Sequence, residues 1–98
     1  RSSDLALVVV DFWAPWCGPC GAMARIFAQA AKTIEPRARF AKVNVDENPE
    51  AARRYGVQGI PALLAFSEGK VAARQAGLTD ANTLHGWVER LGVCSNPG

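Results

Sequence analysis

The chain has 98 residues, 49% of them hydrophobic and 20% charged, with a formal net charge of +2. That length suits one domain that buries roughly 60 to 65% of its extended-chain surface, and it excludes a second. The near-neutral balance offers no basic footprint for nucleic acid, no run is long enough to span a bilayer, and three cysteines are too few for a secreted disulfide scaffold.

Residues 5–12 open with a continuous apolar, largely β-branched run from Leu5 to Val10, the pattern of a strand covered on both faces. Met23, Ile26, Phe27, Ala30 and Ile34 then recur at helical spacing, with Arg25, Gln29 and Lys32 opposite, so residues 21–35 read as an amphipathic helix that Pro36 ends. Residues 39–45 read as a second strand. Asn48 before Pro49 is an N-cap followed by proline at the first helical position, and Gly56 supplies a left-handed end, which predicts a short helix over 49–55. Residues 61–67 and 70–75 flank Glu68-Gly69, a hairpin signal. Thr79 or Asp80 caps a last helix with Leu84, Trp87, Val88 and Leu91 on its buried stripe, and residues 1–4 and 92–98 are expected to fray. The order β-α-β-α-β-β-α, with a right-handed first crossover, predicts a central mixed sheet with helices on both faces.

Between the first strand and the first helix stands Trp16-Cys17-Gly18-Pro19-Cys20. Two thiols three positions apart can close a small disulfide and reopen it. At a helix amino terminus the backbone N–H groups and the helix dipole favour a thiolate, which makes Cys17 the candidate nucleophile; Cys20, one turn further in, is the candidate resolving thiol. Cys17, Cys20, His85 and Cys94 are a nominal set of four zinc ligands, but structural zinc sites draw on two closely spaced pairs and these residues are not so spaced. Haem attachment fails because Gly21, not His, follows Cys20. No bound cofactor or metal is expected.

From Val9 through Cys20 the chain resembles the active-site segment of the thioredoxin family. The resemblance continues through Ala41-Lys42-Val43-Asn44-Val45-Asp46, Tyr55-Gly56-Val57-Gln58-Gly59-Ile60-Pro61, and the turn glycines Gly69 and Gly77. It implies the thioredoxin fold in a minimal version, because the β-α unit that usually precedes the strand over 5–12 has no counterpart here. It also implies a reductant, since Gly18-Pro19 occupies the place where oxidases and isomerases of the superfamily generally carry His for this proline. By the same resemblance Asp11 is a buried acid that takes the proton of Cys20, Lys42 is its neighbour, and Pro61 follows a cis peptide bond and keeps metal from the thiols. Trp16, Gly18, Pro19, Ile60, Pro61, Ala76 and Gly77 would form a groove for an extended substrate peptide.

Three departures qualify the likeness: Gly21 replaces a common Lys or Arg, Arg25 a helix-kinking proline, and Ala62 a threonine. The activity implied is reduction of protein disulfides, with electrons from an NADPH-dependent flavoprotein reductase, in the cytoplasm. The alternatives are a disulfide oxidase or isomerase, or an interaction module whose redox activity is incidental. Without a preceding strand, residues 39–45 would form a free sheet edge through which copies could associate.

Overall fold

The structure, a computed structural model, describes residues 7–35 and 38–93. Its elements are β1 (Leu7–Trp13), α1 (Gly18–Ile34), β2 (Ala38–Asn44), α2 (Pro49–Arg54), β3 (Ala62–Ser67), β4 (Lys70–Ala76) and α3 (Ala81–Val88), the last continued by a π-helical turn over Glu89–Val93. The sheet order is β2-β1-β3-β4; β1 and β2 are parallel, and β3 runs antiparallel to both β1 and β4.

The apolar character of β1 follows from its central place. Leu7 and Val9 face one cluster with Met23, Phe27, Ala30 and Ile34 of α1, Leu63 and Ala65 of β3, and Leu84, Trp87 and Val88 of α3. Val10 and Phe12 face the other, with Ala62 and Leu64 of β3 and the half-buried Ala51 and Tyr55 beside them. Successive strand residues point to opposite faces, so a strand with helices on both sides has no solvent position to leave polar. Asp11 therefore lands on the α1 face with Leu7 and Val9. The α2 face is covered less completely, and Val8, Val43, Phe66 and Val71 there stay half-buried.

The expected order and fold class stand, with local corrections. The first helix begins at Gly18 rather than residue 21, because Pro and Gly are poor inside a helix but acceptable in its first turn, where the missing N–H has no partner to lose. It runs unbroken to Ile34, and Glu35 turns extended, as a residue before proline must. Asn48 does cap α2, but its side chain donates from Nδ2 to the Asn44 carbonyl (3.1 Å) instead of accepting from the helix. Asp80 is the cap of α3, accepting the Thr83 N–H at 2.7 Å, which holds its carboxyl below the usual range. Glu68 and Gly69 both have positive φ (55° and 80°), the geometry of a tight hairpin turn. Gly92 and Val93 lie in the π-helical turn rather than in a frayed tail. The expectations for residues 1–6, Pro36 and residues 94–98 lie outside the described residues.

Candidate active site

β1 ends at Trp13, the chain turns through Ala14 and Pro15 with the Cys17 N–H bonded to the Ala14 carbonyl (3.1 Å), and α1 starts at once. Cys17 is the N-cap, with extended backbone, and Gly18, Pro19 and Cys20 are the first three helical residues. The two cysteines are joined as a disulfide with Cα atoms 5.3 Å apart. They are not equivalent: Cys17 is half-buried at the surface, whereas Cys20 is only 3% exposed. No acidic residue stands in the first turn of α1, so its unpaired N–H groups and dipole present positive potential to Cys17 without opposition. Gly18 and Pro19 are exposed beside it.

Asp11 is completely buried, and neither carboxylate oxygen has a hydrogen-bond partner among the described residues. Burial raises its pKa from 3.8 to about 6, because the ionised form loses water and gains nothing in exchange; the charge of Lys42 pulls the other way and does not prevail. Lys42 is the direct register partner of Asp11 across β1 and β2, is exposed, and carries its Nζ over the Trp13 ring, 5.5 Å from the centroid. An acid with these properties is largely ionised at neutral pH yet readily protonated, which suits it to accept a thiol proton.

The Ile60–Pro61 peptide bond is cis. The Gly77 N–H donates to the Pro61 carbonyl (2.9 Å), tying the loop to the end of β4, while Ile60 makes no backbone hydrogen bond among the described residues. Its N–H and carbonyl are thus available to an extended peptide. The segment Val57 to Ile60 borders two cavities. One, of about 390 Å³, lies between Ile60, Trp16, Val45 and Ala52; the other, of about 490 Å³, is bounded by Ile60, Pro61, Ala76 and Gly77 and floored by Leu64. Trp16, Ile60, Pro61, Ala76 and Gly77, named separately in the sequence, therefore line two adjoining depressions.

One participant escaped the sequence reading. The Trp16 indole is 69% exposed, yet its Nε1–H donates to both carboxylate oxygens of Asp46, at 3.1 and 3.0 Å. Asp46 sits in a turn knitted together by Asn44, whose Oδ1 accepts the Asp46 N–H (2.8 Å) and whose carbonyl accepts from Asn48. The signal was present only as an acidic residue at the end of the block Ala41 to Asp46, thirty positions from its partner.

Among the described residues no three His, Cys, Asp or Glu side chains gather as a metal site requires. His85 instead pairs with Glu89, one turn on (3.4 Å), and Cys94 lies outside the described residues. Nor is any helix among the described residues long and apolar enough to cross a membrane.

The thioredoxin family model matches residues 2–90. The chain belongs to the thioredoxin family. Among its relatives, a thioredoxin of Rhodospirillum rubrum is 45% identical over 80 residues, which is 82% of this chain and 77% of that protein. One of Rickettsia bellii is 40% identical over 86 residues, covering 88% and 81% respectively. In structure, a single-substitution mutant of the thioredoxin from Halobacterium salinarum matches with a TM-score of 0.81 at 37% identity, covering 91% of this chain and 77% of that one. With its cysteine pair at disulfide distance, this member of the thioredoxin family is a thiol-disulfide oxidoreductase that reduces protein disulfides.

Proposed function

We propose that the reduction runs through Cys17 as nucleophile and Cys20 as resolving thiol, with Asp11 as proton acceptor. In the reduced protein the Cys17 thiolate attacks one sulfur of a substrate disulfide; a Cys17–substrate disulfide forms and the first substrate thiolate leaves, to be protonated by solvent. Asp11 takes the proton of Cys20, the Cys20 sulfur attacks Cys17 Sγ, and the second substrate thiolate departs. The substrate has gained two electrons, and the protein has lost them to the Cys17–Cys20 disulfide.

The observation that carries this reading is the asymmetry of the pair: a half-buried Cys17 at the positive end of α1 and a buried Cys20 on the face of the sheet that holds the unpartnered Asp11. Lys42 tunes Asp11 from the surface. Ile60, Pro61, Ala76 and Gly77, with Trp16, Gly18 and Pro19, receive the substrate peptide. The electrons return from an NADPH-dependent flavoprotein reductase, a reducing role that suits the cytoplasm. Copies of this chain can pair through β2, which is an edge of the sheet among the described residues.

Insulin reduction, first with dithiothreitol and then with a reductase and NADPH, tests the reading. Cys17→Ser is expected to abolish reduction, and Cys20→Ser to accumulate a covalent substrate complex, since attack survives and resolution does not. A complex trapped by Cys17→Ser instead would reverse the assignment. A rate no higher than dithiothreitol alone would refute the activity.

A further inference from the structure

The 490 Å³ cavity beside Pro61 has an apolar floor, yet Arg74 is the only ionisable residue in its lining. How that arginine comes to be there is a matter of register. Ala65 pairs with Ala73 but Phe66 pairs with Val71, so Ala72 is an extra residue in β4. Such a bulge reverses the facing of everything beyond it. Arg74 and Ala76 consequently stand opposite Leu64 and Ala62, on the α2 face, where strict alternation from Val71 would have sent them to the α1 face.

The guanidinium reaches across Gly56, which has φ of +70°; a Cβ there would lie 3.6 Å from Nη1. Arg74 is exposed, and among the described residues no carboxylate lies within 4.0 Å of it. Gln58 also borders the cavity, while Gln75, paired with Leu63, turns its side chain to the α1 face. A concave apolar surface with a fork of N–H donors at one side fits a carboxylate on a short aliphatic stem. Arg74 pairs with Leu64 and Ala76 with Ala62, so the guanidinium is rooted two strand residues, about 7 Å, from the position next to Pro61. A peptide extended along Ile60 would cover that distance in a few residues.

We infer that Arg74 selects substrates, favouring protein disulfides with a Glu or Asp two to four residues from the cysteine that is attacked. The inference rests on the reductase reading above and adds the class of substrate to it. Exposed ion pairs of this kind shift affinity by up to about fivefold, and more salt weakens them.

The experiment uses disulfide peptides alike except for Glu, Gln or Lys at each of those positions, with kcat/KM measured for the 98-residue chain, Arg74→Gln and Arg74→Glu. Taking the Glu-to-Lys ratio within each variant cancels any change in folding or thiol reactivity. The expected ratio is three- to fivefold for the unaltered chain at low salt at one or more positions, near one for Arg74→Gln, and below one for Arg74→Glu. For the unaltered chain it should fall toward one in 0.5 M salt, roughly, where the Debye length is a few ångströms. Equal rates for Glu and Lys peptides at every position, or a preference that Arg74→Glu leaves unchanged, would overturn the assignment while leaving the reductase intact. Failure to reduce any of the peptides would overturn the reductase reading and the assignment with it.

Discussion

Replacing Asp11 by Asn should strengthen the protein while slowing it, and the gain should depend on pH in a defined direction. The folded carboxyl is raised from 3.8 to about 6 by burial. Between those values the unfolded chain releases a proton that the native state keeps, so the unaltered protein loses stability as pH rises from about 4 and has lost all it will lose somewhat above 6. At about 1.4 kcal/mol per pH unit, the rise corresponds to roughly 3 kcal/mol. Asn is nearly the shape of the protonated acid and carries no charge, so the two proteins should be about equally stable near pH 4 and about 3 kcal/mol apart at pH 8. With a urea slope of about 1.5 kcal/mol per molar for a domain this size, the midpoint should move up by about 2 M at pH 8. Urea titrations of both proteins at intervals from pH 4 to 8 read this directly. A gap that stays flat across the range, or an Asn variant less stable at pH 8, would refute the reasoning. In single-turnover kinetics the same substitution should leave the Cys17 attack nearly unchanged and slow release of the mixed disulfide by up to about a hundredfold.

Asp46→Ala should free the exposed Trp16 indole from its two hydrogen bonds, changing tryptophan fluorescence and raising KM for insulin two- to fivefold, a loss of up to about 1 kcal/mol in indole positioning as for other solvent-exposed charged contacts, with kcat held; an unchanged spectrum and KM would leave that contact without consequence. Glu68→Asn should stabilise the β3–β4 hairpin by up to about 1 kcal/mol in urea unfolding, because Asn tolerates the left-handed conformation that Glu68 adopts at φ 55° and Asn-Gly is the favoured pair for such a turn; a loss of stability would contradict this. Sedimentation of the chain over a hundredfold range of concentration should reveal self-association through the β2 edge with disulfide reduction retained; a monomer throughout would remove the edge argument, and lost activity on association would move the interface to the cysteine end.

The order of elements, the two-sided burial of β1 and the redox pair were legible in the sequence because each is written in local terms: hydrophobic period, turn residues, and two cysteines three positions apart. Even the boundary error at α1 was local, since Gly18 and Pro19 are weak helix formers that happen to occupy the turn where weakness costs little. Other features had no local expression. Position alone leaves an aspartate at the end of an apolar strand as an exposed strand end or a buried acid; the resemblance implies the second, and packing on the α1 face supplies what neither gives, a fully buried carboxyl with no partner among the described residues. The bond from Trp16 to Asp46 joins residues thirty apart, brought together because parallel β1 and β2 end side by side. Nothing local marks Arg74 within the strand over 70–75; the bulge at Ala72, a property of how β4 pairs with β3, turns it onto the face with the cavity. Facing depends on register, register on pairing, and pairing on the whole sheet, which is why the thiols and their resemblance-implied neighbours could be read from the chain while the Trp16–Asp46 bond and the facing of Arg74 could not.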